Sequence, residues 1–146
     1  MEDLSSRREA IRANLEAIKE RMAVAARKAG RDPSSVTLLA ITKTVPAEVV
    51  RLAVELGVTD LGENRVQEAK DKIPLVGPGP IWHFVGRLQT NKAKEAAGLC
   101  QLVHSMDRAE LAQALNRAGE AAGAPVRVLV QVNVTGVPQQ GGVALA

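Results

Sequence analysis

Val36-Thr37-Leu38-Leu39-Ala40-Ile41-Thr42 is a short, almost unbroken apolar run in a chain of 146 residues. A run without polar alternation is how a strand buried on both faces reads, the usual state of strands in a parallel sheet. Its flanks agree with that reading. Upstream, Leu4, Ile11, Leu15, Ile18 and Met22 recur on one helical face among charged residues. That spacing predicts a long helix from about Asp3 to Lys28, with Gly30 and Pro33 as its stop signal. Downstream, Pro46 suits the first position of a helix, and the amphipathic segment Ala47 to Leu56 ends at Gly57.

The strand-then-helix unit recurs along the chain. Val58 to Leu61 reads as a weak strand and Arg65 to Lys72 as a helix, followed by a Gly77-Pro78-Gly79-Pro80 loop. Ile81 to Val85 is the next strand, with a short helix around Thr90 to Ala97. Gln101 to His104 is a strand, and Asp107 is a suitable N-cap for a helix running to Ala122 and closed by Gly123. Val126 to Val134 is the clearest strand after the first. Alternating strands and helices predict a parallel sheet with helical crossovers. Pattern alone allows either a doubly wound sheet or a barrel. If it is a barrel, an eight-stranded one needs about 250 residues, so roughly three strands lie beyond this chain.

Composition bounds the function. Apolar residues make up 46% of the chain, which indicates a folded chain of one domain's length. Trp82 and Phe84 are the only aromatic residues, so the core has to be aliphatic. The single cysteine, Cys100, excludes an internal disulfide and fits a reducing compartment. No apolar run reaches membrane-spanning length. Arg7, Arg8 and Arg12 are interspersed with Glu2, Asp3, Glu9 and Glu16, unlike the acid-poor transit peptides. The reading is a cytoplasmic protein. A net charge of +3 permits an anionic ligand without demanding nucleic acid.

In parallel α/β folds ligands bind at the carboxyl ends of the strands. Lys43, the Gly62-Glu63-Asn64 turn, His83 to Gly86, Ser105, and Asn133 to Thr135 fall there. Lys43 follows the apolar run, so its stem is expected to be walled by hydrophobic neighbours. Burial disfavours the charged ammonium, and a neutral amine attacks aldehydes to form a Schiff base. The plain alternative is a lysine that reaches from a strand end into solvent. His83 and His104 lie on different strands without adjacent ligands, so core histidines are expected in preference to a metal site. For the same reason no Cys100–histidine nucleophile pair is expected. Gly77-Pro78-Gly79 lacks the strand-to-helix context of a dinucleotide fingerprint, and Asn133-Val134-Thr135 is a chance glycosylation match.

Five blocks occur in an order that resembles a known family. They are Ala40-Ile-Thr-Lys-Thr44, Leu61-Gly-Glu-Asn-Arg-Val-Gln-Glu68, Trp82-His-Phe-Val-Gly-Arg-Leu-Gln-Thr-Asn-Lys92, Val103-His-Ser-Met-Asp107 and Val130-Gln-Val-Asn-Val134. Together they look like the pyridoxal phosphate homeostasis protein family, also called the proline synthase co-transcribed homologue family. The resemblance runs from about Val36 to Gly142.

The resemblance implies a partial (β/α)8 TIM-type barrel of the alanine racemase type, about five of eight parallel strands, preceded by a long N-terminal helix. Residues 1–146 would form one domain, with the leading helix within residues 1–30. It implies pyridoxal 5′-phosphate as cofactor, held as a Schiff base on Lys43, with Asn64, His83, Ser105 and Asn133 as pocket wall. Its members are regarded as carriers or regulators of the vitamin B6 pool that influence amino-acid and keto-acid balance, without a catalytic reaction.

The family grips the cofactor phosphate near its last strands, so the chain to Ala146 is expected to be a truncated member with a weakened hold. The competing readings are a pyridoxal phosphate-dependent racemase or decarboxylase of the same fold type and an interaction module without cofactor. The absence of tyrosine argues against the racemase, which uses one as a base. Unpaired sheet edges on the first and last strands are expected to promote self-association.

Overall fold

The computed structural model describes residues 3–145; Met1, Glu2 and Ala146, the ends of the expected 1–146 domain and 1–30 helical segment, lie outside the described residues. The elements, in order, are α1 (Leu4–Lys28), a 3-10 turn (Pro33–Ser35), β1 (Leu39–Ile41), α2 (Ala47–Glu55), β2 (Asp60–Glu63) and α3 (Val66–Val76). β3 (Ile81–Phe84), a 3-10 turn (Thr90–Lys92), α4 (Ala93–Leu99), β4 (Leu102–Met106), α5 (Ala109–Ala122), β5 (Val128–Val130), β6 (Val132–Asn133) and β7 (Val143–Ala144) follow.

Strands β1 to β5 form one parallel sheet in the order β1-β2-β3-β4-β5. That order decides between the two architectures the pattern allows. A doubly wound sheet reverses direction at a switch point; here every strand neighbours its predecessor. Crossovers of one hand then place all the helices on one side of the sheet. The helices accordingly pack in a row, α1 on α2, α2 on α3, α3 on α4 and α4 on α5. This is the singly wound layout of a (β/α) barrel, preceded by a long helix.

The core lies between sheet and helices. Leu61, Trp82, Phe84 and Val103 from the strands meet Val50, Ala96, Leu111 and Leu115 from the helices, all nearly free of solvent. Burying each of the larger side chains contributes about 1.5–3 kcal/mol. The two aromatic residues stand on one strand, and alanines of α4 and α5 belong to the same core.

The opposite face of the sheet is open, which corrects the expectation of a first strand buried on both sides. Leu39 and Ala40 are half-buried and Ile41 is 46% exposed. β1 is an edge strand, and among the described residues no second layer covers its other face. The last strand is corrected in the same way. The expected run from Val126 to Val134 breaks at Gln131: β5 stays in the main sheet, while β6 pairs in parallel with the unforeseen β7.

Smaller boundaries also shift. Pro46 is the N-cap of α2, one position before the helix. α3 runs on through Pro74 to Val76, past the expected end at Lys72. Proline is tolerated there because only the Lys70 carbonyl, one turn back, loses its donor. Asp107 does not cap α5. The N-cap is the extended Arg108, and the Asp107 carboxylate accepts from its guanidinium at 2.6 Å. Gly123 closes α5 in the left-handed conformation, as expected.

Candidate functional site

Side chains alternate along the strands and so sort the site residues by face. In β2 and β3, Asp60 and Gly62 share a face with Ile81 and His83, while Leu61 and Glu63 share the helix-packed face with Trp82 and Phe84. Leu39 and Ile41 belong to the open face: a Cβ added to Gly62 would stand 2.7 Å from Ile41 Cδ1, with Leu39 and Val85 at 3.5 Å. Glycine at that position lets three aliphatic side chains close over the backbone and form an apolar floor.

Lys43 is next in the alternation after Ile41, in the turn just past β1, and it is exposed. The hydrophobic wall expected around its stem is absent, because the open face has no facing layer. Among the described residues its amine carries no hydrogen bond or ion pair. The following residue, Thr44, has φ of 63°, which places a β-branched side chain in the left-handed region. That conformation costs on the order of 1–3 kcal/mol and persists only where surrounding structure enforces it.

The enforcement is a buried charged cluster beneath the turn. The Thr44 amide donates to Glu68 Oε1. Glu68 accepts from Lys72 Nζ at 2.8 Å, and Lys72 also donates to Glu63 Oε1 and to the Thr42 carbonyl, each at 2.6 Å. Thr42 Oγ1 donates to Glu63 Oε1 at 2.7 Å. Glu63, Lys72 and Thr42 are buried. The hydrogen bond from Lys72 holds the Glu68 carboxyl below its ordinary range, against the opposing effect of burial. Glu63 Oε2 has no hydrogen-bond partner among the described residues. Glu63 lies in the strand-end turn named from the sequence, without this role, whereas Thr42, Glu68 and Lys72 were not named as site residues. The available signal was the Glu68–Lys72 spacing of four on a helix; nothing local marks Glu63 as its second partner.

On the open face a second polar chain crosses three strands. Asp60 Oδ1 lies 2.9 Å from His83 Nε2, and His83 Nδ1 lies 2.8 Å from His104 Nε2. Thr59 Oγ1 donates to the other Asp60 oxygen at 2.7 Å. The two histidines, on different strands as expected, are joined across β3 and β4. Burial, followed by the nearby His83 charge, holds the His104 imidazole below its ordinary value.

The other residues named from the sequence do not gather around one cavity. Asn64 sits in the turn after β2, half-buried, with its backbone against Gly86. Ser105 shares the buried phase of β4 with Val103, and its Oγ has no hydrogen-bond partner among the described residues. Asn133 is occupied by its own loop: Nδ2 donates to the Val137 carbonyl at 2.9 Å, and Oδ1 accepts from the Gly136 amide at 3.0 Å. Cys100 is buried, and desolvation, aided by the Glu63 charge, pushes its thiol up to about 11.

Comparison with known proteins identifies relatives of the chain as a whole. The family described as alanine racemase, N-terminal domain, matches residues 10–145. The pyridoxal phosphate homeostasis protein of Pseudomonas aeruginosa is 43% identical over 132 residues, 90% of this chain and 57% of its own length. That of Escherichia coli strain K12 is 38% identical over 137 residues, 91% of this chain and 58% of its own. Among solved structures, an unknown protein from Bifidobacterium adolescentis superposes with a TM-score of 0.88 at 30% identity, covering 98% of this chain and 62% of that one. PipY of Synechococcus elongatus PCC7942, with PLP bound, gives a TM-score of 0.69 at 35% identity, covering 86% of this chain and 57% of that one. The chain thus spans less than two thirds of the length of these relatives.

Proposed function

Because this chain belongs to the alanine racemase N-terminal domain family, we propose that it binds pyridoxal 5′-phosphate as a Schiff base on Lys43. It serves vitamin B6 and amino-acid/keto-acid homeostasis in the cytoplasm, without a catalytic reaction of its own. The observation that carries this reading is the position of Lys43. Its amine is exposed at the carboxyl end of the first strand, free of any ion pair among the described residues. An amine not tied to a carboxylate is available to an aldehyde.

The surroundings fit an aromatic aldehyde. Leu39, Ile41 and Val85 close over Gly62 as an apolar floor on the same face, and the Asp60–His83–His104 chain supplies polar groups beyond it. The bound cofactor would contribute the electrophilic carbon and the ring. The protein's part is to hold the Lys43 turn through the strained Thr44 and to shield the linkage from one side. Asn64, Ser105 and Asn133 remain proposed wall residues that would need other elements to reach the ligand. The shared core supports reading residues 1–146 as one domain, and the proposal includes no nucleic-acid partner.

Borohydride reduction in the presence of pyridoxal phosphate, followed by peptide mapping, tests the reading. The label should reside on Lys43 and vanish in Lys43→Ala. Label distributed evenly over the surface lysines, and unchanged in that variant, would sink it.

A further inference from the structure

Two sequence blocks that the Lys43 reading leaves mostly unused, Leu61 to Glu68 and Trp82 to Lys92, converge on a cleft of about 910 Å³ at the carboxyl ends of β2 and β3. Arg65, Arg87, Lys92 and Arg108 line it, and among the described residues no carboxylate does. Lys43 is not part of its wall. We propose that this cleft is a binding site for the phosphate group of a small phosphorylated molecule, separate from the Lys43 site.

The cleft is built, not a chance cluster of surface charges. Its two loops touch at Gly86, where an added Cβ would stand 2.3 Å from the Asn64 carbonyl oxygen, so only glycine permits the approach. Arg108 is fixed across the third side: one guanidinium nitrogen bonds Asp107 at 2.6 Å, the other the Leu88 carbonyl at 2.9 Å. The neighbouring carboxylates are already matched, Asp107 by Arg108, Glu95 by Lys92 and Glu68 by Lys72. Arg65 and Arg87 are exposed and form no hydrogen bond or ion pair among the described residues, although the Arg65 charge also acts on Glu68.

Backbone geometry adds to the charge. Val66 and Gln67, the first residues of α3, line the cleft, and no side chain caps that helix. The first amides of an uncapped helix of this length are donors without acceptors, and the helix dipole favours an anion there. Guanidinium groups add charge-assisted bonds in the geometry a phosphate accepts. The volume suits a metabolite-sized ligand.

The test is titration of the isotopically labelled 146-residue chain with inorganic phosphate, at ionic strength held constant with chloride. Saturable amide shifts at Val66 and Gln67 are expected. The Arg65→Gln/Arg87→Gln variant, altered only at exposed positions, should weaken binding about tenfold or more. Lys43→Ala should bind as the unaltered chain does. Shifts that chloride alone reproduces, or that the double arginine variant retains, would overturn the proposal. So would their loss in Lys43→Ala, which would merge the cleft with the cofactor's site. Persistent phosphate shifts in a chain that takes no label at Lys43 would remove the cofactor reading and leave the cleft.

Discussion

Lys72 Nζ stands 2.6 Å from Glu63 Oε1 with both side chains sealed from solvent, and the same ammonium reaches the Thr42 carbonyl one residue before Lys43. Removing one partner of a buried pair leaves an uncompensated charge, which costs about 3–5 kcal/mol. Lys72→Met is therefore expected to be strongly destabilising in urea unfolding. Adding Glu63→Gln should recover part of the loss, since the orphaned charge goes with it. Equal stability of the single and double variants would show that an orphaned Glu63 charge is not the source of the loss.

Acidification should weaken the fold in two steps. His104 has a folded value below its ordinary 6.5, so the unfolded chain binds the proton first; this contribution is whole above about 6.5 and fades as the pH falls through the folded value. Glu68 lies below its ordinary 4.5, so its contribution is present above 4.5 and is lost at lower pH still. Melting temperature followed from neutral to acid pH should show both steps. His104→Gln should erase the upper one and Glu68→Gln the lower. An upper step that survives in His104→Gln would assign it to another group.

Thr44→Gly tests the strained turn beside Lys43. Relief of a β-branched residue at φ of 63° offsets the extra chain entropy of glycine and should leave a net gain of about 1 kcal/mol. The looser turn should at the same time slow borohydride-trapped labelling of Lys43. A loss of stability on this substitution would mean that the threonine side chain contributes more than its backbone costs.

The open sheet leads to a prediction about assembly. β1 and β5 each have an unpaired edge, and Ile41, Leu129 and Val130 are 46%, 48% and 53% exposed. Unpaired edges with apolar side chains invite pairing with another chain. Sedimentation velocity of the 146-residue chain should show self-association that grows with concentration. Placing lysine at Val130 should reduce it. A monodisperse monomer at high concentration would show that the edges are protected.

A weak hold on the cofactor is expected for the same reason. With Lys43 exposed, water has access to a Schiff base formed there. Gel filtration should strip pyridoxal phosphate from the 146-residue chain. A stably yellow, stoichiometric preparation would contradict this.

The order of elements was legible in the sequence because its signals are local. The apolar run at Val36 to Thr42, the amphipathic Ala47 to Leu56 and the stop at Gly123 each depend on neighbours a few residues away. The family blocks likewise marked Lys43 without reference to any distant contact. Contacts between elements were another matter. Lys72 meets Glu63 only because α3 folds back over β2, and His83 meets His104 only because β3 and β4 pair in one register, His83 opposite Leu102. Nothing near Asn133 in sequence says that its amide will be consumed by its own loop. The exposure of Ile41 and Lys43 was decided last of all. An apolar strand reads the same whether or not a second layer covers it, and only the arrangement of the whole sheet determines which of its faces meets water.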